Sequence, residues 1–129
     1  KIPNRQYLRR KSKTMSLFPG YYILKNGKPV HEPDVLKWAA WFEMHDHTRI
    51  VERTTIRRND VEIVISTVFL GINHSWGVSK KPILWETMVF NGPSDQYQVR
   101  YTSLAAAKKG HAKVVKQEQR IQAQHKKDK

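Results

Sequence analysis

Apolar and polar positions alternate with two different periods along the chain. Tyr21-Tyr22-Ile23-Leu24 and Lys28-Pro29-Val30 flank Asn26-Gly27. Asn-Gly between short β-prone runs predicts a hairpin, because both residues tolerate positive φ. After Pro33-Asp34 the period lengthens: Val35, Trp38, Ala39 and Phe42 recur at i, i+3, i+4 and i+7, the buried face of a helix over 34–44 with Asp34 as its N-cap. Arg49–Ile56 and Val61–Leu70 enclose the polar Arg57-Arg58-Asn59-Asp60 and predict a second hairpin, with Val61–Leu70 apolar on both faces as a central strand would be. Ile83–Phe90 and Gln96–Tyr101 form a further antiparallel pair around Asn91-Gly92-Pro93-Ser94-Asp95. Ser103 can cap a last helix on which Leu104, Ala107, His111, Val114 and Ile121 share a face. Beyond Val115 the apolar content falls away into Gln, Lys and His, so the last ten residues are expected to project or fray. The order ββαββββα predicts an α+β fold: a single small domain with an antiparallel sheet of about six short strands and two helices packed on it.

Charge divides this picture into parts. The chain has 129 residues and a formal net charge of +13, but residues 15–107 carry ten cations against nine acids. Residues 1–14 hold six cations and no acid, and residues 108–129 hold eight Lys or Arg against Glu118 and Asp128. The expected organisation is a basic N-terminal extension (1–14), a nearly neutral core (15–115) and a basic helical C-terminal tail (116–129). Met15, where the composition changes, reads as a translation start, which would make 1–14 an addition to the core. Basic ends on a neutral body attract polyanions by displacing condensed counterions. The residues expected to meet phosphates are Arg5, Arg9, Arg10 and Lys11 at one end and Lys108, Lys109, Lys113, Lys116 and Arg120 at the other. No helix-turn-helix or RNA-recognition signature points to base-specific reading. The chain has no cysteine, which excludes a disulfide scaffold, a thiolate metal site and a cysteine nucleophile. No apolar run is long enough for a membrane span and neither end forms a basic amphipathic helix with an aromatic face, so a cytoplasmic protein with no membrane partner is expected.

Four stretches carry a resemblance: Trp38-Ala39-Ala40-Trp41-Phe42-Glu43; Ser66-Thr67-Val68-Phe69-Leu70-Gly71-Ile72-Asn73-His74; Trp85-Glu86-Thr87-Met88-Val89-Phe90-Asn91-Gly92; and Arg100-Tyr101-Thr102-Ser103 leading to Gly110-His111. Together they resemble a family of small uncharacterised proteins encoded by bacteriophages and prophages, over residues 19–115. The resemblance implies an accessory protein in the cytoplasm of an infected bacterium, where host or defence machinery would be its partner, and it implies no defined activity. The family commonly has Asp where this chain has Asn73, so a carboxylate is missing beside His74.

Three groups of residues suggest chemistry. Glu86 shares a strand face with Leu84, Met88 and Phe90, and a carboxylate there must be hydrogen-bonded, paired or protonated: it reads as a general acid or base, or else the face is half exposed or Glu86 pairs with a residue such as Arg100 on the neighbouring strand. Glu43, His74, Glu86 and His111 could converge as the centre of a metal-dependent hydrolase, and His45-Asp46-His47, if extended, would aim two imidazoles to one side. Their spacing demands neither, so no metal or cofactor is assigned, and His111 on an apolar helix face reads first as a hydrogen-bonded core residue. Trp41, Trp76 and Trp85 are candidate anchors for a protein partner, and Trp76, Trp85, Tyr97 and Tyr101 could stack on unpaired bases. Gly20…Gly27-Lys28 lacks the spacing and hydroxyl of a phosphate-binding loop, and no nucleophile elbow, HExxH helix or dinucleotide fingerprint is present. The leading expectation is a non-enzymatic nucleic-acid-binding or nucleoprotein-binding protein, ahead of a protein-binding inhibitor and of a metal-dependent hydrolase.

Overall fold

A computed structural model describes residues 20–75 and 80–127, with side chains as far as Gln124 in the last helix. Six strands and two helices follow in the order ββαββββα, which makes the chain α+β as expected. The six strands divide into a two-stranded and a four-stranded sheet, and the chain into two compact units.

The first unit contains β1 (Tyr22–Lys25), β2 (Lys28–His31) and α1 (Val35–Met44). Asn26 and Gly27 both have positive φ (52° and 78°), so the Asn-Gly turn joins β1 to β2 as predicted. Asp34 Oδ1 accepts from the amides of Leu36 and Lys37 and caps α1. The predicted buried stripe of α1 is not buried: Val35 and Ala39 are exposed, and only Trp38, Trp41 and Phe42 are half-buried. Within its unit α1 packs on β1, and a two-stranded ribbon cannot cover a whole helix face. Trp38 holds this contact by donating from Nε1 to the carbonyls of Gly71 (2.9 Å) and Tyr22 (3.1 Å). Asn73 is buried, and its Oδ1 accepts from the amides of Ser75 and Ile83, both at 2.9 Å. A carboxylate at this position could accept the same two bonds.

The second unit is the sheet β3 (Ile50–Arg58), β4 (Val61–Phe69), β5 (Trp85–Phe90), β6 (Gln98–Tyr101), in that spatial order and wholly antiparallel, with α2 (Leu104–Lys127) on one face. β4 is a central strand, as its two apolar faces predicted. The β3–β4 turn is tighter than expected: Asn59 takes φ 54° and Arg58 pairs with Val61, so only Asn59-Asp60 turn and both arginines stay in the strand. Beneath α2, Ile63, Ile65, Val89 and Val114 form the core, with Ile56, Val99 and Val115 against it. Ser103 Oγ accepts from the Ala106 amide and starts α2 as predicted.

Beyond Val115 the helix continues on the sheet, and of the last ten residues, expected to project or fray, Gln122 is held. Glu118, one turn beyond Val115, is 2% exposed, and Arg58 Nη1 donates to the carbonyl and side-chain oxygens of Gln122. The helix therefore stays on the sheet across the expected core–tail boundary, because an arginine at the end of β3 supplies the contact that apolar residues no longer do.

Candidate functional site

The face of α2 that meets the sheet carries Ala107, His111, Val114 and Glu118, spaced 4-3-4, all buried. Two residues further on, the same 4-3-4 spacing gives Lys109, Lys113, Lys116 and Arg120, all exposed. At about 100° per residue, two positions turn the helix by about 200°, so these cations form a stripe on the side away from the sheet. Their heights along the axis differ by about 6, 4.5 and 6 Å at a rise of 1.5 Å per residue. Lys108 is exposed beside them. Glu118 is the helix's one acidic residue and it is turned inward, so among the described residues the exposed surface of α2 has cations and no carboxylate.

Beneath the stripe lies a chain of polar groups to which each strand of the sheet contributes one hydroxyl. Tyr101 Oη (β6) donates to Thr87 Oγ1 (β5) at 2.9 Å, Thr87 and Thr67 (β4) hydroxyls lie 2.5 Å apart, Thr67 Oγ1 is 2.7 Å from His111 Nδ1, and His111 Nε2 is 2.8 Å from Thr54 Oγ1 (β3). The donors run in one direction when His111 is neutral with its proton on Nε2: Tyr101 to Thr87 to Thr67 to Nδ1, and Nε2–H to Thr54. Burial pushes the His111 pKa down, and Glu52, whose carboxylate is 3.8 Å from Nε2, opposes this only in part. Burial likewise raises the Tyr101 phenol. A neutral imidazole thus pins α2 to all four strands.

Because the unfolded chain takes up the His111 proton near its ordinary value and the folded chain at a lower pH, the unfolded state binds more protons in the interval between. The stability is fully present above about pH 6.5 and falls as the pH drops below it. Urea midpoints measured from pH 7.5 to 5 should decline on the acid side for the wild type and decline less for His111→Gln. Equal slopes for the two proteins would contradict the assignment.

Within each unit the candidate chemical groups are engaged elsewhere or exposed. Glu86 pairs with Arg100 (Oε2 to Nε 2.9 Å) on the face of the sheet opposite to His111, and both ring nitrogens of His111 are occupied by threonines. Glu43 is exposed on α1, and His74 donates from Nδ1 to the Ile72 carbonyl at 2.8 Å. His45 closes α1, its Nδ1 2.7 Å from the Trp41 carbonyl, and residues 45–49 form turns, so the extended His45-Asp46-His47 arrangement is not adopted. Among the described residues no three His, Asp or Glu side chains are disposed around a common metal position.

Of the expected partner anchors, Trp85 is 4% exposed and packs edge-on against Phe69, which removes it from the surface, while Trp41 is half-buried and stacked on His45 at 4.7 Å. Tyr97 remains exposed, at 46%. Trp76 and the N-terminal cations Arg5, Arg9, Arg10 and Lys11 lie outside the described residues. Sequence reading passed over Thr54, Thr67 and Thr87, whose signal was their place at inward positions of the strand alternation, and passed over Glu118, which continues the 107-111-114 spacing.

Among the described residues no helix is long and apolar enough to cross a membrane. Compared with known proteins, the chain matches no family model, no curated protein and no solved structure.

Proposed function

We propose that this chain is a phage-borne accessory protein that acts by binding nucleic acid, free or within a nucleoprotein machine, with the exposed face of α2 laid along the phosphates. The observation that carries this reading is the segregation of charge on one helix: among the described residues, five exposed cations on its surface and its one carboxylate buried. Scattered solubilising charge would mix signs along the surface, whereas a one-sign stripe on a pinned helix presents a fixed line of phosphate contacts. Arg5, Arg9, Arg10 and Lys11 add to the same attraction. Binding rather than catalysis is favoured because Glu86 and His111, the residues best suited to chemistry, are committed to an ion pair and to threonine hydroxyls.

The test is binding of the full chain to labelled 20-nucleotide single strands and duplexes across a salt series. Four or five phosphate contacts at about 0.7–0.9 counterions each predict that log K falls against log salt with a slope of about −3 or steeper. A flat dependence would overturn the proposal.

A further inference from the structure

Along the flank of α2 nearest β6 runs an open groove of about 360 Å³, bordered by Ser94 and Tyr97 from the β5–β6 connection and by Gln117, Glu118, Arg120 and Ile121 from the helix. It continues towards Lys113 through a narrower hollow in which Tyr97 and Gln117 again take part. Its volume lies within the range of small-ligand sites. Glu118 is among the lining residues, and one of its carboxylate oxygens, Oε1, is buried with no hydrogen-bond partner among the described residues. An unsatisfied buried acceptor is costly and rare, and its cost is recovered when something brings it a donor.

We propose that this groove holds one unpaired nucleobase of a bound single strand, with the Glu118 carboxylate turning towards the groove to accept from an exocyclic amino group, the ring stacked on Tyr97, and the adjoining phosphates on Lys113, Lys116 and Arg120. The proposal rests on the reading of α2 as a phosphate-binding face. Two features select this occupant. The donor must reach Glu118 past Arg120 and the neighbouring lysines, which repel a cationic side chain but attract a neutral donor carried on a polyanion. Tyr97, 46% exposed at the same groove, offers a π-face to any base. Adenine, cytosine and guanine carry an amino group, whereas thymine and uracil offer only a ring N3–H set between two carbonyl oxygens that repel a carboxylate, so the site favours the former. Cytosine is the cleanest case, since a carboxylate accepts from its N4 amino group.

Binding of oligo(dC), oligo(dT) and a duplex, each of 12 units, to the full-length wild type, Glu118→Gln and Tyr97→Ala tests this. The wild type should prefer oligo(dC) to oligo(dT) by about five- to tenfold. Glu118→Gln should keep the fold and lose that preference, because its amide serves either pyrimidine. Tyr97→Ala should weaken both single strands by about fivefold or more while leaving duplex binding unchanged. Equal wild-type affinities for oligo(dC) and oligo(dT), with salt-dependent duplex binding intact, would overturn the base site and leave the phosphate-binding reading standing. A preference that survives Glu118→Gln would also overturn it. Absence of salt-dependent binding to every oligonucleotide would overturn both.

Discussion

Gly110→Ala is expected to destabilise the protein by about 3 kcal/mol, although alanine is the better helix former by about 1 kcal/mol in a helix interior. Gly110 lies in α2 with the Tyr101 ring against it. A Cβ there would overlap Tyr101 Cε1, Oη and Cζ, well inside contact distance. The ring cannot swing aside freely, because its hydroxyl donates to Thr87 and through it to Thr67 and His111. Moving it leaves a half-buried phenol and a buried threonine to find new partners, each a cost of about 1–3 kcal/mol. Denaturant midpoints check the effect, and a second background isolates its cause. With Tyr101→Ala already present, the space is open, and Gly110→Ala should become neutral or stabilising. A Gly110→Ala protein more stable than wild type would refute the close approach.

Replacing Lys109, Lys113, Lys116 and Arg120 together by glutamine should weaken nucleic-acid binding by about a thousandfold at ~0.1 M salt. The figure follows from removing about three released counterions, each of which contributes one power of the salt concentration. The fold should survive, since all four side chains are exposed and glutamine is a good helix former. Net charge alone does not explain such a loss if position matters. Replacing four exposed cations elsewhere, Lys25, Lys28, Lys37 and Arg53, lowers the net charge equally and should leave most of the affinity in place. Comparable losses in the two variants would assign binding to overall charge and remove α2 from its proposed role.

Local chemistry made much of this fold legible. Asn26-Gly27 and Asp34 announce a turn and a helix start through φ and capping preferences that act within a few residues, and both are where the sequence placed them. The Glu86–Arg100 pair was readable because antiparallel register puts the two residues opposite each other. What was not legible depends on partners distant in sequence. The burial of Val35 and Ala39 was expected from periodicity, but periodicity does not say how large a surface the helix meets. The end of α2 reads as a polar tail until Arg58, 64 residues away, is seen to bind Gln122. Thr54, Thr67 and Thr87 look like ordinary strand residues until the sheet order aligns them under His111. The cation stripe was visible as composition and became a surface only when Glu118, which a helical wheel centred on apolar residues passes over, proved to belong to the buried side.

The central claim is that phosphate contact resides on the outer face of α2, and the salt slope measures phosphate contacts directly. Log K against log salt should be determined side by side for the full chain and for the Lys109, Lys113, Lys116, Arg120 to glutamine variant on the same labelled strand. The slope should be shallower in the variant by about 3, close to one counterion for each cation removed. Parallel lines for the two proteins would contradict the account, because the stripe would then touch no phosphate.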